Sequence, residues 1–261
     1  MKKKHIQLGV IAALLCTTFA CEPPNKIETG NLELNFRPKV SGQSFEPGII
    51  YTDLAGRKYI LNKFKFLNVG LQATKSDGTP TYIDDSQVFR IAGTERIAHG
   101  GGVFKTFPLT AGDYKGLYWD VGATAAFNYK LPSESKGEGL QDESMFISSS
   151  LGRKFIVLSG KIDTSKIVGQ TEWKDFEYTV ADTIMRRKME IDSLPKHAFS
   201  IVGKKETQFI VEIDLNQVLK GVWSDSILLG NVSLPYSKDE KSTAAKIADN
   251  FVNSAMYKVE E

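Results

Sequence analysis

The stretch KYILNKFKFLNVGLQATKSDG, residues 58–78, decides the fold class of this 261-residue chain. Aromatic and aliphatic residues recur in it in short runs, which predicts two β-strands. The Asp77–Gly78 pair at its end is a typical hairpin turn, because glycine adopts the positive φ that such turns need. Short alternating runs broken by turn residues begin at Asn31 and continue along the chain. This pattern is typical of an all-β sandwich or barrel.

Further strands are predicted on both sides of this stretch. They lie in LELNF (32–36), GVFKTFPLTAGDYKGLYWDVG (102–122, turning at 111–113), KFIVLSGKI (154–162), FEYTV (176–180) and TQFIVEIDL (207–215). The polar segment from Leu131 to Asp142 is predicted to be a mobile surface loop. A short helix is predicted to begin at Asp214 and to stop at Gly221.

A longer helix is predicted near the C-terminus. Its apolar residues recur at helical spacing and share one face, namely Ala244, Ile247, Ala248, Phe251 and Ala255. No repeat or change of composition marks a second domain. We therefore predict an all-β fold, a single β-sandwich domain over residues 31–261, with an amphipathic C-terminal helix packed on it.

The N-terminus has the parts of a secretory signal peptide over residues 1–20. Three lysines precede an apolar run that ends at Ala20, and this run is short for a permanent membrane span. Cys21 follows at the position of a lipobox cysteine, which predicts a lipidated tether over residues 21–30 and a membrane anchor. The alternative is ordinary cleavage after Ala20, leaving a free thiol. Cys16 is lost in both cases, so no disulfide forms.

This reading predicts an outer-membrane lipoprotein of a bacterial cell envelope, on the periplasmic or the surface face. Removing residues 1–20 takes away three of the 33 Lys and Arg residues and none of the 31 Asp and Glu residues. The mature net charge is then close to −1, which implies no basic surface for nucleic acid. We therefore expect no nucleic-acid partner. The oligomeric state is left open.

The residues that carry enzymatic or metal chemistry are scarce. HGGG at residues 99–102 is similar to an oxyanion-hole motif, but no Gly-x-Ser-x-Gly elbow accompanies it. After removal of the signal only His99 and His197 remain as histidines, and they are the weak candidates for a metal site. The acidic pairs Asp84–Asp85 and Asp142–Glu143 are interpreted as solvated charge. We therefore predict a protein without catalytic activity.

Several stretches, in order, resemble the MbnP-like family of periplasmic copper-binding proteins. They are LELNF with VSGQSF, YTDLAGRKYILNKFKFLNVGLQATKSDG, FPLTAGDYKGLYWDVG, GRKFIVLSG, FEYTV and KIADNFVNSAMY, spanning about residues 32–257. The resemblance implies a β-sandwich without catalytic activity of its own. In a characterised branch of the family, copper is bound by histidines and by a tryptophan that a partner di-haem enzyme oxidises to kynurenine.

The family's copper ligands do not carry over to this chain. Pro38 stands where the family tends to have a histidine two places after the Phe of the first strand. Counting back from Gly152, the family's Trp-x-Trp positions are Ile147 and Ser149, and Arg153 replaces a tyrosine. The histidine expected within FEYTV falls at Thr179. None of these four residues supplies a soft nitrogen or sulfur donor for copper.

The sequence therefore predicts a non-enzymatic envelope lipoprotein that acts as a binding or accessory protein. The resemblance alone implies copper as a cofactor and a di-haem peroxidase-like enzyme as an envelope partner. The alternative is a structural or protein-interaction surface lipoprotein that holds no metal. Trp119, Trp173 and Trp223 lie away from the family's tryptophan positions and are predicted to be packing residues.

Overall fold

The computed structural model describes residues 27–92, 102–165, 170–191, 198–222 and 238–260. Its fourteen described strands are β1 Thr29–Val40, β2 Gln43–Ser44, β3 Ile50–Thr52, β4 Lys58–Lys75, β5 Pro80–Ala92, β6 Val103–Thr110, β7 Gly112–Val121, β8 Phe146–Ser148, β9 Gly152–Asp163, β10 Trp173–Ala181, β11 Arg187–Ile191, β12 Phe199–Ile201, β13 Glu206–Asp214 and β14 Ala255–Glu260. The predicted signal peptide and Cys21 lie outside the described residues.

Among the described residues, three short α-helices and one long α-helix accompany the strands. They are α1 Ala125–Asn128, α2 Glu138–Gln141, α3 Leu215–Val218 and α4 Lys238–Asn253, and single 3-10 turns occur at Pro132–Glu134, Glu143–Met145 and Thr183–Met185. No helix among the described residues is both long and apolar enough to cross a membrane.

The strands form two sheets of a β-sandwich, as the sequence predicts. In the smaller sheet β1 is central: it pairs in parallel with β13, antiparallel with β6 and β2, and β14 extends β13. In the larger sheet the strand order is β10-β9-β4-β7-β11, and β5 and β3 also pair with β4. Leu34 and Phe36 of β1 and Phe66 of β4 are fully or almost fully buried, so the core lies between the sheets.

The stretch 58–78 forms one long strand, not the two that the sequence predicts. β4 pairs with β9 over its first half and with β7 over its second half, while β5 pairs with it from Lys63 to Thr74. The pairing shifts beside Leu71 on both sides, and Gly70 has a φ of 69°. A β-bulge beside Gly70 therefore bends one continuous strand. The Asp77–Gly78 turn is confirmed.

The C-terminal helix is confirmed, with one correction. Ala244, Ile247, Ala248 and Phe251 of α4 are all buried, and the Phe251 ring lies 5.0 Å from that of Phe66 in β4. The helix ends at Asn253, so Ala255, predicted on the same helical face, instead begins β14. The short helix near Asp214 is also confirmed at its start, because the Asp214 side chain accepts a hydrogen bond from the Asn216 amide. The helix ends at Val218, before the predicted stop at Gly221.

Candidate ligand-binding groove

The segment from Leu131 to Asp142, predicted to be a mobile loop, is instead folded against the larger sheet. It contains a 3-10 turn and helix α2, and its residues Ser135 and Leu140 are buried. The Leu140 amide donates to the Ser86 hydroxyl of β5 at 2.9 Å, and that hydroxyl also lies 3.3 Å from the Lys136 carbonyl. Two outer ion pairs, Lys105 with Glu138 and Arg90 with Asp142, join the segment to β6 and β5. We call residues 125–142 the clasp.

A buried arginine of the larger sheet binds the clasp. Arg153, at the start of β9, is fully buried. Its guanidinium donates to the carbonyls of Phe127, Asn128 and Leu140 and to the Ser135 hydroxyl, the last two at 2.8 and 2.9 Å. The planar fork of a guanidinium can bind several acceptors at once, which the ammonium of lysine cannot do in the same geometry. Arg153 therefore joins both ends of the clasp to the sheet.

The charge of Arg153 is met by neutral acceptors. Within the described part of the chain no carboxylate pairs with it, and the Phe146 ring lies 5.1 Å from the guanidinium carbon. Burial lowers the pKa of Arg153 from its ordinary value, yet a guanidinium remains protonated at neutral pH. One positive charge is thus buried under the clasp without a compensating ion.

Glycine at position 152 permits this arrangement. Gly152 has a φ of 80°, a conformation that side chains with a Cβ rarely adopt. A Cβ built there would lie 2.1 Å from the Asn128 amide nitrogen. The Asn128 side-chain oxygen in turn accepts from the Arg153 amide at 2.8 Å. The Gly152–Arg153 pair therefore fixes the first turn of the clasp.

The clasp and the β4–β5 pair enclose a groove of about 470 Å³. Its apolar lining consists of Val69, Leu140, Tyr82 and Phe127, and Gly70 of the β4 bulge lies among them. Tyr82 and Phe127 are 55% and 41% exposed, so two aromatic rings remain open to solvent here. Grooves of this volume with an apolar lining and a few polar groups are typical of small-molecule sites.

Four charged side chains also line the groove, namely Asp85, Lys130, Glu134 and Lys136. The Tyr82 hydroxyl donates a hydrogen bond to Asp85, and burial together with this bond raises the pKa of Tyr82. The Lys130 ammonium lies 5.6 Å from the centre of the Phe127 ring. The charges of these four side chains balance to zero; behind them, Arg153 adds a positive charge next to Ser135 and Asp84 adds a negative charge next to Asp85.

The two acidic pairs that the sequence suggests are solvated are in fact partly built into the structure. Burial raises the pKa of Asp84, which is half-buried in β5 and accepts from the Gln87 side chain at 3.2 Å. Although burial opposes ionisation, hydrogen bonds from Ser144 and Arg90 lower the pKa of Asp142. Within the described ranges, no group of three or more His, Cys, Asp and Glu side chains could hold a metal ion.

Comparison with known proteins places the chain in a family. A family model described as MbnP matches residues 29–233. The chain belongs to the MbnP family. A solved structure, MbnP from Methylosinus trichosporium, is similar over 90% of this chain and 100% of that chain, with a TM-score of 0.57 and 12% identity. This likeness shows the fold. A comparison with curated proteins finds no significant match.

Two of the positions at which the resemblance implies copper ligands are buried in this chain. Pro38 is buried in β1, opposite Ile213 of β13, and its carbonyl accepts from the Phe45 amide at 3.0 Å. Thr179 lies in β10 opposite Val157 and is 5% exposed, and its hydroxyl has no hydrogen-bond partner among the described residues. Proline has no side-chain donor atom and a threonine hydroxyl is a poor ligand for copper, so neither residue fits the metal.

The other two MbnP positions lie at β8. Ile147 is half-buried in that strand, and Ser149 is exposed in the turn between β8 and β9. A kynurenine can form from neither residue, so the donor set expected for copper does not fit this chain. His99, His197 and Cys21 lie outside the described residues, so their mutual positions stay predictions. Trp119 is buried against Phe36, which confirms its packing role.

Sequence reasoning missed the groove and assigned no role to Arg153. One signal was available: an arginine stands two residues before the apolar run Phe155–Leu158, at a place where the strand is about to become buried. A charged residue at such a place is either exposed at the strand end or bound by several acceptors. Its acceptors come from a segment 13 to 26 residues earlier, which no local pattern indicates.

Proposed function

We propose that this chain is a non-enzymatic binding or accessory protein of the bacterial cell envelope, anchored through a lipid on Cys21. It keeps the MbnP sandwich and lacks the copper centre of that family. The observation that carries the proposal is the identity of the residues at the family's copper positions. Pro38, Ile147, Ser149 and Thr179 stand there, while the fold around them is retained.

Copper titration tests the metal part of the proposal. We expect the mature chain carrying Cys21→Ala to take up no stoichiometric copper in competition with a chelator. The physical reason is the shortage of donors, since His99 and His197 alone would form a weak, exchangeable site. Intact mass should also show no oxidised tryptophan. One tightly held copper per chain that disappears in His99→Ala would contradict the proposal.

Lipid labelling tests the anchor. We expect labelled palmitate to enter the wild-type chain in a bacterial host and to be absent from Cys21→Ala, because Cys21 follows an apolar run and a small residue. Fractionation should move the variant from the membrane to the soluble fraction. Equal labelling of the two chains would show that Cys21 is not the acceptor.

The alternative, a structural or protein-interaction surface lipoprotein with no metal, gives no role to the groove. The groove of about 470 Å³ is held open by a fixed clasp, although Tyr82 and Phe127 would be better buried if packing alone mattered. An open, apolar and well-supported groove favours a binding protein. A partner such as a di-haem peroxidase-like enzyme is proposed by family analogy only.

A further inference from the structure

The groove under the clasp exposes apolar surface that a purely structural loop would cover. Tyr82 on β5 and Phe127 in α1 are more than 40 residues apart in the sequence, yet both line the same cavity. Val69 and Leu140 complete the apolar lining. Aromatic rings of this kind contact flat apolar groups with a large buried area and little loss of side-chain entropy. The lining therefore suits a ligand with an aromatic body.

The charges around the groove favour a negative group on that ligand. Asp85 already accepts the hydrogen bond of the Tyr82 hydroxyl, and of the other charged residues that line the cavity two are lysines, Lys130 and Lys136, against one carboxylate, Glu134. Behind Ser135, the guanidinium of Arg153 donates to neutral oxygens and, among the described residues, is paired with no carboxylate. A buried charge is poorly screened by solvent, so it makes the potential in the neighbouring groove more positive.

The groove is also fixed before any ligand arrives. Arg153 and the Ser86 hydroxyl together bind the clasp at Phe127, Lys136 and Leu140, which all line the cavity. A site that is already ordered loses little conformational entropy on binding, so a small ligand can bind with useful affinity.

From these observations we propose that the groove binds a small organic anion, with an aromatic body between Tyr82 and Phe127 and a carboxylate near Lys130 and Lys136. The inference deepens the proposed function, since it names the chemical class of ligand for a binding protein. It involves none of the family's copper positions, so its failure would leave the copper and anchor experiments unchanged.

Calorimetric titration of the mature chain carrying Cys21→Ala tests the inference with four matched probes. They are 2-naphthylacetate, its neutral amide, 2-naphthylethylamine and acetate. We expect saturable 1:1 binding of naphthylacetate, with the amide about three- to tenfold weaker because it lacks the charge that the cations recognise. The amine and acetate should bind more weakly still, since one has the opposite charge and the other lacks the ring.

Exposed residues can be changed at the groove with little risk to folding. Phe127→Ala should weaken naphthylacetate binding by about tenfold or more, because it removes one aromatic wall. Phe104→Ala is the matched control, since Phe104 is 45% exposed on β6 and does not line the groove. Lys130→Gln with Lys136→Gln should weaken naphthylacetate about three- to tenfold and leave the amide unchanged.

Four outcomes of these titrations would overturn the inference. Equal affinity for naphthylacetate and its amide would rule out the anionic group, and tighter binding of the amine would assign the site to cations. Equal loss in Phe127→Ala and Phe104→Ala would place binding elsewhere on the surface. Absence of saturable naphthylacetate binding at millimolar concentration would show that the groove does not take this class of ligand.

Discussion

Replacing Arg153 with alanine is expected to lower the free energy of unfolding by about 3–5 kcal/mol. The substitution removes a fully buried guanidinium that donates to three backbone carbonyls and to the Ser135 hydroxyl. Those buried acceptors would be left without donors, and a cavity would form beneath the clasp. Urea denaturation followed by circular dichroism measures the change.

Two further substitutions of cationic residues serve as controls for this prediction. Lys161→Ala changes an exposed cation of the same strand and should leave the unfolding midpoint within experimental error. Arg153→Lys keeps the charge and loses the planar fork, so it should remain clearly destabilised. Hydrogen exchange should rise first at the clasp amides. Equal midpoints for Arg153→Ala and Lys161→Ala would show that the guanidinium does not hold the clasp.

Phe251→Ala is the second change with a large expected effect, a loss of about 3–5 kcal/mol in the free energy of unfolding. The Phe251 side chain is fully buried, and its ring lies 5.0 and 6.0 Å from those of Phe66 and Phe64. Because β4 forms the middle of the larger sheet, the cavity would open in the main core. Thermal melting of the purified chain provides the measurement.

The control for this prediction lies two residues away. Asn253 is exposed at the end of α4, and its replacement by alanine should shift the melting temperature by no more than about 1–2 °C. If Phe251→Ala and Asn253→Ala melted together at the wild-type temperature, α4 would be an arm detached from the sandwich. A drop confined to Phe251→Ala confirms that the helix closes the core.

The fold could be predicted because its signals are local. Alternation along β10 and β13, and the stripe Ala244–Phe251 at helical spacing, are each visible within a short window. The continuity of β4 could not be seen in this way. Gly70 and the change of apolar pattern beside it look like the end of a strand. In the structure, β4 pairs with β5 along one edge and with β9 and then β7 along the other, and these pairings carry the strand through a bulge.

The clasp shows why the candidate site was harder to predict than the fold. Its composition is polar and rich in glycine, and by composition alone it is a loop. Its order comes from hydrogen bonds to Ser86 of β5, which precedes it in the sequence, and to Arg153 of β9, which follows it. The residue types at the aligned copper positions, by contrast, can be read from the sequence, and ligand chemistry depends on those types.

The central proposal is that this chain keeps the MbnP fold and lacks the copper centre of that family. Anomalous diffraction at the copper absorption edge tests it most directly. Crystals of the mature chain with Cys21→Ala, grown with one equivalent of copper, would be measured above and below that edge. We expect no anomalous peak beside Pro38, Ile147, Ser149 or Thr179, because none of these side chains supplies a nitrogen or sulfur donor. A fully occupied copper at those positions would contradict the account.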